Sequence, residues 1–178
     1  MIEKIYIISD TEPGRKDVMD AFSSDDFFVN FIESIHSKKK DEKALLVING
    51  DIFDFLKMAY KDAYPRYINE GISLWKLNEV VSHHPKFFSS LKKFLQNNDH
   101  EVHFVIGNHD ADLIWPALQA KIHELLENTD RIHFGYWFKK NEVHAEHGHL
   151  VDPFFTINTS KPIVTYRGEE ILNTPFGS

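Results

Sequence analysis

Four short polar segments carry the residues best able to do chemistry: Ser9-Asp10-Thr11-Glu12, Gly50-Asp51-Ile52-Phe53-Asp54, Gly107-Asn108-His109-Asp110 and His147-Gly148-His149. The sequence has no cysteine, which excludes disulfides, thiolate metal sites and cysteine nucleophiles. The remaining donors are Asp, Glu, His and Asn, a set suited to hard or borderline divalent ions. Carboxylates gathered in one place repel each other and are costly to desolvate, and one bound cation, or better two, resolves that conflict. Glycines at 50 and 107 let the backbone turn sharply or approach a ligand closely.

Each segment follows an apolar run that can position it. Residues 5–8, 44–48 and 102–106 read as buried strands. Residues 131–138 and 142–146 read as two further strands, a hairpin around Lys139-Lys140-Asn141. Helical spacing of Phe28, Phe31, Ile32 and Ile35 predicts a helix over 25–37, with Ser24 as N-cap and Lys38, Lys39 and Lys40 favourably placed near its C-terminus. Pro85 opens a helix to about residue 97, and Pro116 lies in the first turn of one over 116–127. Residues 55–83, interrupted by Pro65 and Gly71, read as a partly helical excursion. Beyond Pro153, strands are expected near 154–157 and 163–166.

Strands alternating with helices imply an α/β sheet with parallel pairs. In such sheets ligands bind outside the carboxyl ends of the strands, so all four segments can reach one place. His103 and His144 fall inside expected strands and read as packing or edge residues, whereas His83 and His84 precede a helix and could face the cleft. Trp75, Phe87, Phe88 and Trp115 read as core.

The length of 178 residues fits one domain over 1–178 with one sizeable core. A net charge of −7 argues against sequence-independent nucleic-acid binding, because phosphate contacts demand basic surfaces. No stretch approaches the roughly 18 apolar residues of a membrane span, and the N-terminus has no signal-peptide layout. A soluble cytoplasmic protein is the expectation.

The ordered motifs resemble those of the calcineurin-like metallophosphoesterase family, whose pattern runs D-x-H, G-D-x-x-D, G-N-H-[DE], a lone His and G-H-x-H. Gly50-Asp51 with Asp54, and Gly107-Asn108-His109-Asp110, match in full. Glu146-His147-Gly148-His149 with Asp152 resembles the lone-His block of bacterial members, and Gly14 falls where UDP-diacylglucosamine pyrophosphatase-type members carry a glycine. Two departures stand out. Position 12 is Glu where the family has His, and no G-H-x-H follows residue 149. The chain therefore reads either as the N-terminal portion of a longer phosphoesterase or as a short form with an incomplete site.

The resemblance implies a metallo-dependent phosphatase-like αββα sandwich with an incomplete second sheet, whose exposed edge or apolar face would favour a homo-oligomer. It implies two divalent ions, manganese first, with iron, zinc or magnesium as alternatives. Asp51 would bridge them, Asp10 and Glu12 would serve the first, Asn108 and His147 the second, and His149 would be an accessory ligand. The ions would lie ~3.5–4 Å apart and activate a water for in-line attack on phosphorus. His109 would stabilise the transition state or protonate the leaving oxygen, and Asp54 would orient His109. The implied activity is hydrolysis of a small phosphorylated substrate, whether a phosphomonoester, a phosphodiester or a pyrophosphate. A catalytically impaired metal-binding scaffold and a nuclease of the same superfamily are the alternatives.

Overall fold

The computed structural model describes residues 3–16, 22, 25–36, 42–127 and 130–175. Strands β1 (Glu3–Ile8), β2 (Lys43–Asn49), β3 (Glu101–Val105) and β4 (Ile132–Gly135) form a parallel sheet in the order β1-β2-β3-β4. The connections carry helix α1 (Asp25–His36) between β1 and β2, α2 (Glu70–His83) and α3 (Pro85–Leu95) between β2 and β3, and α4 (Pro116–Leu125) between β3 and β4. Parallel crossovers are right-handed, so a sheet whose order follows the chain receives every crossover on the same face.

The core shows this sidedness. Ala44, Leu46 and Ile48 on β2, with Val102 and Phe104 on β3, pack with Phe28, Ile32, Phe87, Leu91, Leu118 and Ile122 from the helices. Their neighbours Leu45, Val47 and Val105 point the other way, because successive strand side chains alternate. There they meet Phe138 and Ala145 of an antiparallel hairpin, β5 (Trp137–Lys140) with β6 (Val143–Glu146). That hairpin leaves Ile7 of β1 46% exposed.

Three expectations change here. The run 131–138 is two strands, not one: β4 ends at Gly135 and β5 begins at Trp137, in a different sheet. Residues 154–157 form no strand; instead 163–166 pairs with a partner at 169–172 to make β7 (Ile163–Tyr166) and β8 (Glu169–Leu172). His84 does not face the cleft. It is buried, with Nδ1 2.9 Å from Asp25 Oδ1, while His83 Nδ1 lies 2.8 Å from the Glu79 carbonyl oxygen. Ser24 and Lys38–Lys40 lie outside the described residues.

The excursion after β2 is a 3₁₀ turn, Phe55–Lys57, followed by irregular chain up to α2, whose N-cap Asn69 accepts from the Ile72 N–H at 3.0 Å. Hairpin β7–β8 closes onto this segment through the Leu172 N–H to Ile68 carbonyl bond, 2.8 Å, and a Tyr67–Tyr166 stack. α2 is fastened to the turn after His109 by a buried cluster in which Ser73 Oγ donates to Asp112 at 2.6 Å and Lys76 Nζ lies 3.2 Å from the same oxygen. Among the described residues no helix is long and apolar enough to cross a membrane.

Candidate metal centre

Parallel strands end on the same side, and the register here ends them nearly level, with Ile8 opposite Ile48 and Asn49 opposite Val105. The chain leaving each strand is then stitched to its neighbours. The Asp10 N–H donates to the Gly50 carbonyl at 3.2 Å and the Glu12 N–H to the Asp51 carbonyl at 3.1 Å. Thr11 Oγ1 donates to the Ile52 carbonyl at 2.9 Å. Asp10, Glu12 and Asp51 all hold left-handed φ values of 53°, 42° and 49°, a costly state for non-glycine residues that collects at functional sites.

Asp110 ties the third loop to the second. Fully buried, its carboxylate accepts from the Gly107 N–H at 2.6 Å and from the Ile52 and Phe53 N–H groups at 2.5 and 3.4 Å. Burial, followed by the charge of Asp51, pushes its pKa up to about 7 against the pull of those donors. Asp110 and Asp112 are structural anchors that motif matching alone did not give a role.

The last segment arrives from the opposite face. Asn49 Nδ2 donates to the Glu146 carbonyl at 3.0 Å, fixing the end of β6 to the end of β2. This sets His147 over Gly50, with His147 Nδ1 3.0 Å from the Asn49 carbonyl oxygen and Nε2 3.1 Å from Asp51 Oδ2. Both glycines flanking Asp51 in space are needed for clearance. A Cβ at Gly50 would sit 2.3 Å from the His147 ring, and one at Gly107 would sit 2.2 Å from Asp51 Oδ1.

Among the described residues two clusters of potential ligands result, each with one ligand atom per residue and all atoms within 4.8 Å: Asp10, Asp51 and His147, and Glu12, Asp54 and His109. In the first, burial pushes Asp51 up, but the His147 ring and the His109 N–H, which donates to Oδ1 at 3.0 Å, outweigh it and leave the carboxyl low. Burial likewise pulls His147 down, yet Asp51 more than offsets it and raises the ring to about 9. Two oxygens and an imidazole at a strand end are the donors a divalent ion takes, and it would replace the proton these groups share. His149 is 5% exposed with its ring 5.6 Å from that of His147, and neither of its nitrogens has a protein partner among the described residues. An orphaned imidazole this buried fits an ion's surroundings. Asn108, half-buried, immediately precedes His109 in the loop after β3.

The second cluster is organised differently. His109 Nδ1 lies 2.9 Å from Asp54 Oδ1, which raises the imidazole pKa and leaves Nε2 as the outward nitrogen. Lys57 Nζ lies 2.7 Å from Asp54 Oδ2 and 3.2 Å from Glu12 Oε2. Glu12 is thus drawn to Asp54 and His109 rather than to Asp10. Lys57 escaped the sequence reading because only a 3₁₀ turn, in which residues three apart eclipse, brings it back over Asp54.

Comparisons with known proteins identify a family. No curated protein and no solved structure matches the chain. The family model for calcineurin-like phosphoesterases matches residues 3–175, nearly all of the sequence, and the chain belongs to that family.

Proposed function

We propose that the protein is a metal-dependent phosphoesterase that hydrolyses a phosphomonoester, phosphodiester or pyrophosphate. The observation carrying this reading is the convergence of Asp10, Asp51 and His147, from three separate strand ends, on one point beside the Asp54-held ring of His109. Asp10, Asp51, Asn108 and His147 would hold a divalent ion, manganese first among manganese, iron, zinc and magnesium, with His149 next to it. When bound, such an ion polarises a phosphoryl oxygen and lowers the pKa of water toward ~7.

The residues supply the rest. Asp54 fixes the His109 ring through Nδ1, so that Nε2 is the atom able to deliver a proton to the departing oxygen. The bond to Asp54 raises the His109 pKa and so favours the protonated ring. Asp51, gripped by the His109 N–H, holds the ligand cluster and the acid in one fixed relation.

The test is hydrolysis of an aryl phosphate and a bis-aryl phosphate with added Mn²⁺ by the wild type, Asp51→Ala and His109→Ala. Turnover by the wild type and its loss in both variants is the expected result. Equal rates in all three would overturn the mechanism, and metal bound without turnover on either ester would turn the reading to a metal-binding scaffold.

A further inference from the structure

The geometry points to a single divalent ion in this chain, at the Asp10, Asp51 and His147 cluster, with the ammonium of Lys57 standing as a built-in cation in the Glu12, Asp54 and His109 cluster and drawing Glu12 away from Asp10. This rests on the phosphoesterase reading of the same site and departs from the two ions that family resemblance implies.

The charge balance and the space available both favour it. Asp54 is 1% exposed, and a carboxylate so buried needs a cation or strong donors. It has both already, with His109 Nδ1 at 2.9 Å from one oxygen and Lys57 Nζ at 2.7 Å from the other. Glu12, the residue at the position where the family carries histidine, shares the same ammonium at 3.2 Å. A divalent ion using Asp54 and Glu12 would need oxygens at about 2.0–2.6 Å, which is the space the ammonium nitrogen fills. The lysine is held there by backbone geometry. Asp54 precedes the Phe55–Lys57 turn and Lys57 ends it, so the pair is superposed along the turn axis. Among the described residues the Asp10, Asp51 and His147 cluster has no such ammonium. Among the described residues its positive partner is the imidazole of His147 itself, which an ion can convert from donor to ligand.

Removing the ammonium should therefore create a second metal site rather than merely remove a charge. Lys57→Ala leaves Asp54, Glu12 and His109 facing one another with nothing between the carboxylates, and Lys57→Met does the same while keeping the apolar stem in place. Equilibrium dialysis against Mn²⁺, read by metal analysis, counts the ions, and electron paramagnetic resonance separates an isolated Mn²⁺ from a coupled pair. The expected result is one ion with an uncoupled spectrum for the wild type. Two ions with a coupled spectrum are expected for both Lys57 variants, returning to one when Glu12→Gln is added to Lys57→Met. A wild type that binds two ions, or Lys57 variants that stay at one, would overturn the inference. The aryl phosphate assay on the same samples keeps the two levels apart. Two ions with turnover leave the phosphoesterase reading standing and sink this inference alone, whereas no ion and no turnover sink both.

Discussion

The ring of His147 rests directly on Gly50, so that the residue preceding Asp51 in the chain decides where the imidazole can meet the Asp51 carboxylate. The contact of 3.1 Å between Nε2 and Oδ2 depends on there being no side chain at position 50, where a Cβ would fall 2.3 Å from the ring, and on φ of +80°. Gly50→Ala is expected to lower Mn²⁺ affinity at least tenfold by displacing the ring. It should also cost about 1–3 kcal/mol of stability from the left-handed backbone and the clash. Calorimetric titration and urea unfolding measure the two. An unchanged affinity would mean that His147 is not a ligand.

Asp54 acts on chemistry through His109, and the relation has a kinetic signature. Asp54→Asn keeps the shape while weakening the hold on Nδ1, and should reduce kcat roughly 10–100-fold with little change in KM. His109→Ala should reduce kcat by about 10²–10⁴. If Asp54 works only by orienting His109, the double variant will be no slower than His109→Ala alone. A further multiplicative loss would show that Asp54 contributes separately, through its ion pair with Lys57.

Legibility in the sequence followed the strength of local signals. The ends of β1, β2 and β3 were readable because each apolar run stops at a polar residue or glycine, and the residues that meet at Asp51 sit just past those stops. The break between β4 and β5 was not readable. Ile132, Phe134, Tyr136 and Phe138 keep period-two alternation straight across it, and Gly135 was the only local hint. The split is made by tertiary pairing, β4 docking on β3 and β5 turning back to β6. Lys57 was hidden for a related reason: its meaning lies in a 3₁₀ turn inside a segment with no clear period. Asp110 was visible as a motif residue, but nothing in the sequence said that three backbone donors from two loops would end on it.

That role makes Asp110 a stability determinant outside the ligand clusters. Asp110→Ala would leave the N–H groups of Gly107, Ile52 and Phe53 buried without an acceptor, a loss of about 3 kcal/mol or more. Asp110→Asn keeps one acceptor but turns an NH₂ toward a donor, and should cost about 2 kcal/mol. Denaturant unfolding followed by circular dichroism gives both values. Losses under 1 kcal/mol would mean that water replaces the carboxylate and that the loops are held by their own backbone bonds.

His103 supplies the acid limit. Its ring lies between Phe138, at 5.3 Å, and His133, at 6.1 Å. Burial, followed by the charge of His133, depresses its pKa from 6.5 to about 4, against the opposing bond to the Trp137 backbone. The unfolded chain then takes up a proton between pH 6.5 and 4 that the folded chain resists. This contribution is whole above pH 6.5 and declines as pH falls toward 4. At pH 5 the loss should be about 1–2 kcal/mol after allowance for solvent screening of a partly exposed ring. His103→Phe removes the titrating group and keeps an aromatic ring against Phe138. Urea unfolding at pH 7.5 and pH 5 should therefore show a smaller acid loss in the variant than in the wild type, by about that amount. Equal losses in the two proteins would move the acid sensitivity elsewhere, first to His149, which burial also holds near 4.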